Sequence, residues 1–232
     1  MVTFTNSGRK DVYISGPTKT YYAGARIPFG AAVIRQGTVG RIQAAILEDE
    51  DSIIGFACSD EVEHTYDGFY EIGDPVRVAL KGSVINANII ATASTSLVAG
   101  DYLDVADHTS GVAATGTGCL EESGAGCNVG ETRVITTSVA QVLEDVTLTS
   151  ATYKAPTVCT AGASTITMTS GDPTLMGIQV GDMVLLADAN GTDAQVNAIT
   201  AITDTQLTVA IPITTAACDL VYAIRQAEVV VI

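Results

Sequence analysis

Few side chains in this chain are suited to chemistry. His64 and His108 are its two near-neutral general bases, and neither sits in a nucleophile arrangement such as Gly-x-Ser-x-Gly. His64 stands among Asp60, Glu61, Glu63 and Asp67. Those types can ligate a metal, but neighbouring acids of one strand or loop point in different directions, and the cluster reads as a solvated acidic face. The run Glu48-Asp49-Glu50-Asp51 lacks the alternating spacing and the glycine of a calcium loop, so it reads as surface solubility. Five cysteines, Cys58, Cys119, Cys127, Cys159 and Cys218, include no close Cys-x-x-Cys pair, which argues against a zinc site. They read as small buried apolar side chains, with the pairings Cys159 to Cys218 and Cys119 to Cys127 left open. No glycine-rich loop runs into a helix with Lys-Ser/Thr, so nothing cradles a phosphate. The expectation is a protein that is not an enzyme, with no cofactor and no metal.

Charge is more informative. The net charge is −15, yet residues 1–41 carry Arg9, Lys10, Lys19, Arg26, Arg35 and Arg41 against Asp11 alone, a balance of +5. Residues 42–232 then hold five basic against 25 acidic side chains. Such a body repels nucleic acid and anionic membranes. The basic segment either docks on another acidic protein surface or folds back on its own body. Tyr13, Tyr21, Tyr22 and Phe29 lie in the same stretch. Tyrosine buries area while keeping a hydroxyl usable at a wet rim, so these aromatics either meet a partner or pack their own barrel. The docking candidates are therefore Arg9, Lys10, Tyr13, Lys19, Tyr21, Tyr22, Arg26 and Phe29.

The elements that must position these residues are strands. Hydrophobic residues make up 47% of the 232, aromatics 5%, and Trp is absent, so the core is built from Val, Ile, Leu and Ala. Apolar positions alternate or run in short blocks between Gly, Asn and Asp, which predicts about a dozen strands and no long helix. The clearest are 76–80, 102–105, 133–143, 165–169, 183–186, 196–202, 206–210 and 228–232. Asp67-Gly68 and Asn190-Gly191 are hairpin-turn dipeptides, so neighbouring strands should be antiparallel. One pattern recurs: Ile72-Gly73-Asp74, Ala99-Gly100-Asp101 and Val180-Gly181-Asp182 each precede an apolar segment. Glycine permits the corner and aspartate accepts from nearby amides, so each unit restarts a strand after a turn.

The texture changes near residue 150, where charges thin out and Thr, Ala and Gly dominate. The expected organisation is all-β: an arm over 1–22, a small barrel or sandwich core over 23–149 plus 225–232, and an inserted second small β domain over 150–224. The last strand, 227–232, would continue the sheet begun at 138–147. The stretch Gly111–Gly130 reads as a long exposed loop. No apolar run reaches the ~20 residues of a membrane span, and the polar opening lacks a secretory signal, so synthesis in a host cytoplasm is expected.

Four motifs in order carry a resemblance: AGARIPFGAAVIR at 23–35, SIIGFACSD at 52–60, YEIGDPVRVALKGSV at 70–84 and SLVAGDYLDV at 96–105. Together they resemble the structural cement, or capsid decoration, proteins of tailed phages, with SVAQVLEDV at 138–146 similar to that family's later strand. The resemblance covers residues 20–147 and departs at 150–224. It implies a non-enzymatic binder of the outer capsid surface that bridges capsomers against internal pressure, with the major capsid protein as partner. Sister subunits are the second expected partner, as a homotrimer gaining affinity through multivalency. The competing class is a receptor- or glycan-binding virion module, for which the absence of Trp leaves no stacking platform.

Overall fold

The computed structural model describes residues 13–37, 39–45, 52–59, 68–90, 96–106, 109–110, 115–122, 138–147, 152–154, 160–168, 178–187, 194–214 and 220–232. Every regular element among them is a strand, and the protein is all-β. Twenty-two strands are described, more than the dozen expected, because many span only two or three residues. Ladders that short carry no readable alternation.

Five strands close a small barrel: Thr18–Ala23, Arg41–Ala44, Ala32–Arg35, Ile53–Ala57 and Pro75–Ala79. Four of its five pairings are antiparallel, while Thr18–Ala23 runs parallel to Arg41–Ala44. Period-2 alternation splits the central strand Ala32–Arg35 between two cores. Val33 points into the barrel with Tyr21, Ile42, Tyr70 and Val76, and Ala32 and Ile34 point outward into a second core. Gly55 closes the barrel: its φ is +148°, and a Cβ there would strike the carbonyl oxygen of Ala79. The register slips at this point, Val33 facing Gly55 and Ile34 facing Ile53. A bulge at glycine bends the strand tightly enough to close a five-stranded ring.

Further pairings close a second ring: Val84–Ile90 to Leu120–Glu122, to Tyr102–Val105, to Ala140–Val142, to Leu220–Val231, and back to Val84–Ile90. Its interior holds Ile85, Ile89, Leu103, Leu120, Val142 and Val229, joined by the outward face of the first barrel. The stretch read from sequence as one barrel or sandwich thus contains two closed rings. Leu220–Val231 is twelve residues long and also pairs with Thr152–Lys154 and Met183–Ala187. From there the sheet continues through Ala194–Ile202 and Gln206–Val209 to Thr165–Thr167. A third core of Ile166, Val184, Leu186, Ile199, Leu207 and Val221 lies against these strands.

The recurrent Gly-Asp corner has one geometry. In Glu71–Asp74, Val98–Asp101 and Gln179–Asp182 the fourth amide donates to the first carbonyl at 3.0, 3.0 and 3.1 Å. The first amide donates to the aspartate Oδ2 at 2.8, 2.8 and 2.9 Å. The glycines have φ of +95°, +104° and +96°, the left-handed value that the third position of a type II turn requires. Each glycine amide also donates to a carbonyl of another segment: Ala23, Val142 and Ile199. The same backbone pattern recurs without the acid at Pro28–Ala31, Leu80–Ser83 and Thr160–Ala163, which the sequence motif does not reveal.

Several expectations change. Tyr13–Ser15 pairs with Val84–Ile90, and Thr18–Ala23 is a barrel strand, so residues 13–22 belong to sheets and not to an arm. The glycine-rich stretch is not an exposed loop at 117–121. Thr117, Cys119, Leu120 and Glu121 are buried, and a Cβ on Gly118 would lie 2.6 Å from the Ala32 carbonyl oxygen. Glycine here serves close approach between backbones. Of the strand expected over 133–143, only Ala140–Val142 is strand among the described residues. Asn190-Gly191 lies outside the described residues, but the strands flanking it, Met183–Ala187 and Ala194–Ile202, are antiparallel. Among the described residues parallel pairing occurs twice, where non-consecutive strands meet.

Candidate basic cleft at one end of the barrel

Three barrel strands build a cleft. In register, Tyr22 faces Arg41 and Ile42 faces Arg35. The intervening turn is tied down by Tyr22 N–H donating to the Gly40 carbonyl and Gln36 N–H donating to the Arg41 carbonyl, both at 3.0 Å. The open space above is about 470 Å³ and is lined by Lys19, Tyr21, Tyr22, Arg35, Gln36, Val39 and Arg41 together with Thr20 and the glycines 37 and 40. Among the described residues no acidic side chain lines it.

Charge and exposure are unusual for so acidic a chain. Lys19, Arg35 and Arg41 are exposed, and no carboxylate among the described residues pairs with any of them. Lys19 Nζ lies 5.3 Å from the Tyr21 ring centre, a cation–π contact that holds the ammonium over the barrel mouth. Tyr22 is 57% exposed and Val39 fully so. Two like charges ~10 Å apart in water repel by only about 0.4 kcal/mol, so holding the cations together is cheap. Each charge-assisted hydrogen bond to an anion is worth about 1.5–3 kcal/mol, which exceeds that cost.

The structure divides the docking candidates. Lys19, Tyr21 and Tyr22 come together in the cleft, with Tyr21 buried in the barrel core and Tyr22 on its rim. Arg26 is elsewhere, paired with Glu71 at 2.5 Å and stacked 5.7 Å from the Phe69 ring centre. Phe29 is buried, edge-on to Tyr70 with ring centres 4.8 Å apart. It packs its own barrel. Tyr13 contributes backbone to a strand, and Arg9 and Lys10 lie outside the described residues. Arg35, Arg41 and Val39 were not singled out from sequence. The two arginines did belong to the +5 segment, but only the hairpin of Ala32–Arg35 with Arg41–Ala44, together with the parallel pairing of the latter to Thr18–Ala23, puts them beside Tyr22.

Other chemistry is sparse. His64, His108 and the acidic runs at 48–51 and 60–67 lie outside the described residues. Among the described residues no group of three His, Cys, Asp or Glu side chains is placed to hold a metal. Cys58 and Cys119 are buried, and burial pushes the Cys119 thiol up to about 12. Burial, with the nearby Glu121 charge adding to it, also raises the Tyr222 phenol above its ordinary value. No helix among the described residues is long and apolar enough to cross a membrane. Against known proteins, no family matches the chain and no curated sequence is similar to it.

Proposed function

We propose that this all-β protein is a non-enzymatic structural protein of a virion that binds the outer capsid surface and cements neighbouring capsomers. The observation that carries the reading is the cleft of Lys19, Arg35 and Arg41, unpaired among the described residues and flanked by Tyr22 and Val39, on a chain of net charge −15. A local positive, partly apolar surface on an acidic body supports docking to an acidic protein and discourages like surfaces from meeting unspecifically. The ordered motifs at 23–35, 52–60, 70–84 and 96–105 support the same reading, and they fall on the barrel, the Gly-Asp turns and the second ring. Partners in this reading are the major capsid protein and sister copies, with many weak contacts summed over a shell.

The test is binding of purified protein to expanded shells that lack it, read as co-sedimentation and as a rise in shell melting temperature. Removal of residues 1–12 is the matching truncation, since cutting further removes Tyr13–Ser15, paired with Val84–Ile90, and then the barrel strand Thr18–Ala23. Binding with stabilisation is expected, weakening as salt is raised from 50 to 500 mM. Absence of binding to every shell tried refutes the reading.

A further inference from the structure

We infer that the cleft recognises an extended acidic peptide segment, one presenting carboxylates at alternate positions; this rests on the docking role proposed above. Arg41 and Arg35 stand on neighbouring strands, and Lys19 lies three residues before Tyr22 on the strand beyond Arg41. Adjacent strands are ~4.8 Å apart and a strand rises ~3.3 Å per residue, so the backbone positions of the three cations span roughly 10 Å in each direction, and their side chains line one space. Alternate side chains of an extended peptide repeat every ~6.7 Å on one face, which brings two or three carboxylates within reach of the three cations. Guanidinium groups take a carboxylate through two parallel bonds, and two of the three cations are arginine. Tyr22 and Val39 give the peptide apolar contact at the rim. Nucleic acid, the other common polyanion, is disfavoured because the chain as a whole is acidic and the cleft's described lining holds three cations, too few to neutralise a phosphate backbone.

The probe is a fluorescein-labelled ten-residue peptide of alternating Glu and Ser, compared by anisotropy with its Gln/Ser counterpart and with a sulfated oligosaccharide. The Glu peptide is expected to bind at least tenfold tighter than the Gln peptide, and Arg35→Glu with Arg41→Glu to abolish that preference. Both positions are exposed, and an unchanged circular dichroism spectrum and melting temperature check that the variant folds. Lysine at the same two positions is expected to retain part of the affinity, because charge survives and the two-pronged geometry does not. Equal binding of the Glu and Gln peptides, or binding of the sulfated sugar alone, overturns the inference. Shell binding separates this from the cement reading. A charge-reversed variant that binds shells like the parent overturns the cleft's role and leaves cementing intact. A parent chain that binds the Glu peptide but no shell refutes cementing and leaves the cleft's chemistry standing.

Discussion

At the residue scale, the glycines separate into two kinds with different expected costs. A Cβ on Gly73, Gly100 or Gly181 meets nothing within 4 Å, so alanine there carries only the strain of a left-handed conformation, about 1–2 kcal/mol. A Cβ on Gly55 or Gly118 runs into backbone. Gly55→Ala is therefore expected to lose more than 3 kcal/mol or fail to fold, whereas Gly100→Ala stays folded, as urea denaturation will show. The aspartates of the three corners each accept an amide at 2.8–2.9 Å, so Asp74→Ala should cost about 1 kcal/mol by the same measurement. Cys119 gives a pH expectation. Its thiol ordinarily ionises near 9 and is pushed to about 12 by burial, so between those values the unfolded chain releases a proton that the folded one keeps. Stability is then fully present below pH 9 and falls as pH rises towards 12, with Tyr222 acting in the same direction above its ordinary value. Chemical denaturation at pH 7, 9 and 10.5 should show a plateau and then a decline. Mass spectrometry after brief alkylation at pH 8 should find Cys58 and Cys119 unmodified, because both are buried and the thiolate of Cys119 is suppressed.

At the element scale, the long strand Leu220–Val231 joins three cores, one of them formed by Tyr222 and Ile224 with Met183 and Leu185. Val229 and Val231 face the second ring and Val221 faces the third core. Ala227 is fully buried and pairs with Ala87 in mid-strand. Proline at Ala227 removes a ladder hydrogen bond in a central strand and crowds a closed ring, an expected loss of about 3 kcal/mol or more. Because the strand is shared, calorimetry should show a single unfolding transition that moves as a whole in the proline variant. Two transitions, with only the earlier one displaced, would mean that the third core folds independently of the rings.

At the scale of the whole molecule, charge is unevenly distributed: residues 1–41 carry a balance of +5 on a chain of net charge −15. The excess of acid gives the body a negative field, and a cleft whose charged lining among the described residues is Lys19, Arg35 and Arg41 interrupts it. Raising salt should weaken cleft-dependent binding and leave the melting temperature little changed, because the fold rests on four apolar cores and, among the described residues, on few ion pairs. The two rings share atoms of contact that reinforce this arrangement. Asn88 Nδ2 donates to the Phe29 carbonyl at 2.6 Å, and Ala32 N–H donates to the Gly118 carbonyl at 2.8 Å. Movement at the cleft strand Ala32–Arg35 is thereby tied to the second ring.

The sequence by itself determined the all-β class, the strands near Pro75–Ala79, Tyr102–Val105, Met183–Ala187 and Ala194–Ile202, and the three Gly-Asp corners. Each of these is local: alternation, β-branched content and a glycine at a turn are read within a few residues. It also marked the basic segment from which the cleft is made. Only the tertiary structure decided that this segment enters a closed barrel, that the core behind it consists of two rings, and that Lys19, Arg35 and Arg41 converge while Arg26 is neutralised by Glu71. Those outcomes depend on which distant strands pair and in what register. A slip of one residue would turn Tyr21 outward and Tyr22 inward, and nothing within either strand alone sets that choice.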